Sequence, residues 1–223
     1  MKNIIVILMC VTGIINAQAP IEKTLGEFKE LKVFDLIEVK LVKSNENKIS
    51  ITGKNANDVV LVNKNGTLKI RMNLEESFDG NKTFATLYYN NIEIIDANEG
   101  AYIFSDDLIK QFDLKLKAQE GGLIKLKLET SFLDVKSVTG GNIEAKGTTK
   151  KQKVALSTGG IYQGEHVKTE QTDVSIIAAG EAHVNASKLV DLKIRVGGDV
   201  YIYGKPETVN ESKAIGGRVK YVN

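Results

Sequence analysis

The residues of this chain that could do acid–base or metal chemistry fall into no recognisable motif. Two histidines, His166 and His183, are too few for a His-rich metal site, and the lone Cys10 excludes a multi-cysteine cluster. The neighbouring carboxylates Glu75-Glu76 and Asp106-Asp107 would point to opposite faces of a strand. Glycosidic hydrolysis instead needs two carboxylates converging across a cleft, a pair that the sequence neither shows nor excludes. No nucleophile elbow, phosphate-binding loop, dinucleotide fingerprint or zinc-binding helix is present. Lys146, Lys150, Lys151 and Lys153 make a basic corner that reads as a solvated loop. The constellation that stands out suits recognition: Gln163, Glu165, His183, Asn185, Tyr201 and Tyr203. Aromatic rings pack on the apolar faces of sugars, while amides and carboxylates take hydroxyls. The competing explanation is that tyrosine simply favours exposed strands. No catalytic residue, metal ligand or cofactor is expected.

Those six residues are scattered along the chain, and a repeat is what would gather them. Glycine-containing pairs punctuate the second half: Glu99-Gly100, Gly121-Gly122, Gly140-Gly141, Gly159-Gly160, Ala179-Gly180, Gly197-Gly198 and Gly216-Gly217. Their second members are 22, 19, 19, 20, 18 and 19 residues apart. Six residues before that member stand Ile94, Leu116, Val135, Val154, Val174, Leu192 and Glu211. Two residues after it stand Tyr102, Ile124, Ile143, Tyr162, Ala182, Val200 and Val219. Four after it stand Phe104, Leu126, Ala145, Gly164, Val184, Ile202 and Tyr221.

Between these columns polar and apolar residues alternate, as in Leu192-Lys193-Ile194-Arg195-Val196. Period two means strand, so each repeat carries two short strands flanking a glycine corner. A repeat of this length cannot bury an apolar face alone, and stacking makes the core continuous. Equivalent strands would then pair in parallel at ~4.8 Å per coil. The fold expected is all-β: a single-domain parallel β-helix, or β-solenoid, with coils of about 19–20 residues. An antiparallel sandwich also shows strands every 8–12 residues or so, but it does not explain one register persisting through the repeats. In the solenoid, positions three and five after the glycine face outward. Gln163 and Glu165, His183 and Asn185, and Tyr201 and Tyr203 would then stack into one patch. His166 falls six after its glycine, so it should not neighbour His183.

The first half is less regular. Leu31-Lys32-Val33, Ile37-Glu38-Val39-Lys40-Leu41 and Ile49-Ser50-Ile51 alternate, and Asn65-Gly66 signals a type I′ hairpin turn. Residues 57–62 suit a strand or a short helix, and 75–86 suit a polar loop. Residues 21–91 are read as the opening, irregular coils of the same solid, with a capping role at its end. At the very start, Met1-Lys2-Asn3, an apolar run from Ile4 to Ile15 and small residues to Ala19 make a signal peptide, residues 1–17. The mature domain expected is 18–223. Cys10 lies inside the apolar run, after bulky Met9, and is not read as a lipid anchor. No later apolar run is long enough to span a membrane. Lys+Arg exceeds Asp+Glu by 30 to 28, too narrow a margin to suggest a nucleic-acid partner.

Three stretches carry a family resemblance. They are Phe28-Lys29-Glu30-Leu31-Lys32-Val33 with Ile37 to Leu41, Asn65 to Ile70 with the glycine-punctuated coils, and Gly197 to Pro206 with Gly216 to Lys220. Together they resemble the head-GIN domain family, labelled auto-transporter adhesins, of exported Bacteroidetes proteins. The resemblance implies a β-helical fold and a place in the periplasm, on the outer-membrane surface or outside the cell. It implies no established activity and no catalytic residues. The functional expectation is a non-enzymatic module that binds an extracellular or envelope glycan or protein. A polysaccharide-active enzyme and a structural spacer are the alternatives. The terminal strand 217–222 carries Arg218 and Lys220, whose like charges should oppose end-to-end stacking, so a monomer is expected in dilute solution.

Overall fold

The computed structural model describes residues 19–222. The expected signal segment and Cys10 lie outside the described residues. Alternating apolar residues make strands almost throughout: β1 (Ile21–Thr24), β2 (Glu30–Val33), β3 (Glu38–Lys43), β4 (Lys48–Gly53), β5 (Val59–Lys64), β6 (Thr67–Met72), β7 (Thr83–Tyr89), β8 (Ile94–Ala97) and β9 (Tyr102–Lys110). There follow β10 (Asp113–Gln119), β11 (Leu123–Val138), β12 (Asn142–Ser157), β13 (Gly160–Ile176), β14 (Gly180–Val196), β15 (Asp199–Tyr203), β16 (Thr208–Ile215) and β17 (Arg218–Tyr221). The protein is a single parallel β-solenoid. From β8 onward the strands pair in parallel with their equivalents one coil on.

The two strands expected per repeat merge into one. Each of β11 to β14 runs unbroken from one glycine corner to the next as a first and a second arm. Pairing between β11 and β12 skips only Ser131, where the chain turns between its arms. First arms and second arms thus form two ladders. Inward residues from both, such as Ile124 and Leu126 on one and Leu133 and Val135 on the other, share one buried core.

The columns read from sequence are true register partners in the regular coils. Val135 pairs with Val154, Val154 with Val174, Val174 with Leu192, and Leu192 with Glu211. The third column narrows to glycine at Gly164 for a packing reason. Tyr162 is fully buried, and a Cβ on Gly164 would sit 2.3 Å from its ring. The Tyr162 hydroxyl donates to Gln152 Oε1 at 2.9 Å, and Gln152 Nε2 donates to Thr172 Oγ1 at 3.0 Å, so this buried phenol is satisfied.

The first coil departs from the alignment by one residue. Leu116 pairs with Ile95 rather than Ile94, and Ile124 with Ile103 rather than Tyr102. The corner explains it. Glu99 and Gly100 sit at φ 52° and 72°, as Glu120 and Gly121 do at 54° and 75°. Gly100 therefore matches the first glycine of a pair, and Ala101 takes the place of the second. That second place is tight, since a Cβ on Gly122 would lie 2.2 Å from the Ala97 carbonyl oxygen.

The N-terminal region differs in order as well. Residues 21–91 are not simply opening coils. β2 is wedged between β6 and β8, and β3 between β7 and β9, all parallel. Outside them β5, β4 and β1 add antiparallel strands that close this end. Residues 57–62 resolve into a 3-10 turn, Ala56–Asp58, followed by β5. Asn65 and Gly66 have φ 53° and 76° and join the β5–β6 hairpin, as their types require. The segment 75–86 is loop only to Lys82, because β7 begins at Thr83.

Candidate functional site

Five of the six residues expected to converge, all but Glu165, lie on the outward face of the first-arm ladder. Gln163 pairs with His183, His183 with Tyr201, and Asn185 with Tyr203. Between them Ala182, Val184, Val200 and Ile202 point into the core, so the tyrosines face out and are half-buried. Glu165 stands apart from the simple alternation. It lies in an irregularity where pairing jumps from Gly164–Val184 to Lys168–Asn185. Its backbone carbonyl accepts from Asn185 Nδ2 at 3.0 Å, while its Oε2 is buried without a hydrogen-bond partner. His166 is exposed, pairs with Lys146, and is not a register partner of His183.

The patch is ordered by its own contacts. His183 stacks on Tyr201 with centroids 4.4 Å apart and planes 4° from parallel. Its Nε2 lies 2.9 Å from Glu181 Oε1, and its Nδ1 lies 3.1 Å from the Tyr203 hydroxyl. In a neutral imidazole, an Nε2–H that donates to the Glu181 carboxylate leaves Nδ1 to accept from the Tyr203 hydroxyl. Burial, then the nearby Glu165 charge, raises the Tyr203 pKa, which keeps that phenol a donor. Tyr201 also lies against the Lys220 ammonium, 4.9 Å from the ring centroid. Gln163 donates to Asn142 Oδ1 at 3.1 Å. Glu181, Asn142 and Lys220 escaped sequence reasoning. Asn142 and Glu181 sit one outward column before the chosen ones and Lys220 sits in the chosen column one coil further on, so the same alignment read more widely would have found them.

Arg218 does not act as a free charge at the final edge. It grips Asp199 with two hydrogen bonds of 2.8 and 2.5 Å, and this guanidinium lowers the Asp199 pKa despite opposing burial. The blunting charge expected there falls to Lys220. The expected basic corner is likewise divided. Lys151 pairs with Asp173 at 3.1 Å on the second-arm ladder, whereas Lys146 lies on the first-arm face. Asp106 and Asp107 are both exposed, because β9 bulges between its pairings to Lys125 and Lys127 and breaks the alternation.

That bulge builds a second feature on the same face. A groove of about 410 Å³ is lined by Tyr102, Phe104, Asp106, Lys125, Glu144 and Lys146, among others. Tyr102 and Phe104 stack at 5.1 Å and 18°. Sequence alignment missed it because the first coil is displaced by one residue. Among the described residues no group of three or more His, Cys, Asp or Glu side chains is arranged to hold a metal ion. None of their helices is long and apolar enough to cross a membrane.

Residues 27–206 match the family model described as "Putative auto-transporter adhesin, head GIN domain". No curated protein is similar in sequence to this chain. Among solved structures, a protein described as a putative adhesin from Bacteroides fragilis NCTC 9343 superposes with a TM-score of 0.84 at 16% identity, over 91% of this chain and 96% of that one. One of the same description from Parabacteroides merdae ATCC 43184 gives 0.71 at 15% identity, over 92% and 96%. A protein described as a putative lipid binding protein from Parabacteroides distasonis ATCC 8503 gives 0.65 at 16%, over 92% and 98%. At such identities the likeness is one of fold.

Proposed function

The chain belongs to the head GIN domain family of exported, adhesin-like proteins, and on that premise we propose that it is a non-enzymatic envelope or surface module that binds a glycan through the first-arm face. The observation that carries this reading is the ordering of outward residues from successive coils into one patch. Tyr201, His183 and Tyr203 are fixed by stacking and by hydrogen bonds to Glu181 and to each other. Side chains held in advance lose little freedom when a ligand arrives, which favours binding. They stand on rigid parallel strands rather than on loops. The carboxylate nearest the histidine is committed to it, so no acid–base pair faces a cleft there.

The test is a glycan array on the mature chain, residues 18–223, beside the Tyr201→Ala, Tyr203→Ala variant. The wild type should bind at least one glycan. The double change should weaken that binding at least tenfold while the thermal midpoint stays within a few degrees, since both rings face out. Binding untouched by the change moves the site elsewhere. New reducing ends or unsaturated products from a polysaccharide panel would make the protein an enzyme and defeat the reading.

A further inference from the structure

The outward row that contains His183 and Tyr201 does not stop at the patch. Through successive register pairs it runs Lys40, Phe104, Lys125, Glu144, Gln163, His183, Tyr201, Lys220. Phe104 and Tyr201 are five strand steps apart in this row, about 24 Å at ~4.8 Å per step. The row therefore has an aromatic platform toward each end and polar residues between.

The two platforms are not equivalent. Tyr201 is stacked on His183 and lies against the Lys220 ammonium, which also donates to its hydroxyl at 3.4 Å, so its ring presents mainly its edge. Tyr102 and Phe104 instead line an open groove. Its wall is the β9 bulge, and strands use such bulges to re-aim side chains. The ion pairs on this face are Lys40 with Asp106 at 2.6 Å, Lys125 with Glu144 at 2.8 Å, and Arg218 with Asp199, while Lys220 sits against Tyr201 instead of a carboxylate. A charged polymer would have to compete with those ion pairs, whereas a neutral chain leaves them intact. Hydroxyl groups also suit the amide of Gln163 between the platforms.

We propose that this face is one extended site for a neutral, β-1,4-linked pyranose chain lying along the solenoid axis. The groove over Tyr102 and Phe104 is its principal contact, and the Tyr201–Tyr203 patch is its second. The inference rests on the glycan-binding reading above and adds the groove, the direction and the length. A straight row of rings and amides suits a ribbon-like chain whose apolar C–H faces meet aromatic surface and whose hydroxyls meet polar groups. Two linked contacts make the second binding step intramolecular, so affinity should climb once the chain reaches both.

The test uses cello- and chito-oligosaccharides from disaccharide to hexasaccharide, titrated calorimetrically into the mature chain. The hexasaccharide of at least one series should bind ten or more times tighter than its disaccharide. Tyr102→Ala with Phe104→Ala should abolish disaccharide binding and weaken the hexasaccharide at least tenfold. Tyr201→Ala with Tyr203→Ala should weaken only the hexasaccharide. A milder Phe104→Leu variant, with its midpoint recorded, separates lost contact from lost folding. If the groove variants leave hexasaccharide binding intact while the tyrosine-patch variant removes it, the extended site is wrong and the single-patch reading stands. If affinity is flat with length, the two-platform geometry is wrong. If the wild type binds no member of either series, or only a protein partner, the inference is overturned. An array hit on another glycan would then leave the broader reading standing.

Discussion

The coils from β11 to β15 and the region from β1 to β9 bury the same kinds of residue in the same alternation, yet only the first advertises its partners. In β11 to β15 the chain advances one coil at a time, so a residue's neighbour lies 18–20 positions along, except where β13 is irregular. In the N-terminal region the chain lays down β2 and β3, leaves to build the antiparallel edge, and returns on both sides of them. Leu31 thus touches Leu68 on one side and Ile95 on the other. Repetition reports pairing only where the chain moves steadily. Where it doubles back, the core is as apolar but the partner is hidden.

The two regions should nonetheless be one cooperative body, and this is the largest effect to test. Val174 is 2% exposed, and Leu31 is fully buried between two parallel neighbours. Val174→Asp and Leu31→Asp each place an unpaired charge in the core, at a cost of several kcal/mol. Both should abolish the cooperative thermal transition of the whole chain. If the N-terminal region were a detachable cap, Leu31→Asp would leave a residual transition from the later coils. Differential scanning calorimetry distinguishes the outcomes.

A smaller effect separates the two glycines of one corner. Gly140 has φ 71° with open space where a Cβ would go, so Gly140→Ala should cost about 1 kcal/mol for the left-handed backbone. Gly141 has no positive φ, but its Cβ would lie 2.2 Å from the Ala118 carbonyl oxygen. The backbone there must shift, at about 1–3 kcal/mol for forced overpacking. Urea denaturation should rank Gly141→Ala below Gly140→Ala in stability. The reverse order would mean that backbone conformation, not close approach, fixes the corner. The comparison also bears on the first coil, where Ala101 already fills the second place.

What was legible in the sequence follows the same divide. The solenoid, its register from Gly121 onward except at the β13 irregularity that displaces Glu165, and the outward placing of Tyr201 and Tyr203 could all be read, because each rests on alternation and a fixed interval. The interleaving of β2 and β3 could not, since nothing local distinguishes Leu31-Lys32-Val33 from a strand at the end of the stack. The groove was hidden by one residue. Aligning Gly100 as a second glycine put Phe104 in the core column, when it belongs to the row of His183. The contacts that order the patch depend on side chains reaching across columns, which spacing alone does not fix.

The smallest effect lies where the two regions meet. Asp96, on β8, faces outward yet is 2% exposed, covered by neighbours that include Lys32 and Lys117, whose ammoniums lie 3.7 and 4.0 Å from Oδ2. Its Oδ1 has no hydrogen-bond partner. Burial is the largest influence on this carboxyl and raises its pKa, with Lys117 and Lys32 working against it. Glu30 shares both lysines at 3.4 Å each. Burial works to raise Glu30 too, but the Thr67 hydroxyl and the two ammoniums bring it below the usual range. The folded state therefore binds the Asp96 proton more tightly than the unfolded chain does. That contribution to stability is fully present below the ordinary carboxylate range and is lost as pH rises through the raised folded value. Glu30 runs the other way, lending stability above its unfolded value and losing it as pH falls. Asp96→Asn isolates the first effect, since the amide keeps the shape without the charge. Its thermal midpoint should exceed the wild type by about 2–4 °C at pH 7.5, roughly the shift 1 kcal/mol makes in a domain of this size. The gap should close as pH falls toward 4. A variant less stable than wild type at every pH would show that the pairing of Asp96 with Lys32 and Lys117 outweighs its burial, and that this charge fastens the interleaved strands to the regular coils.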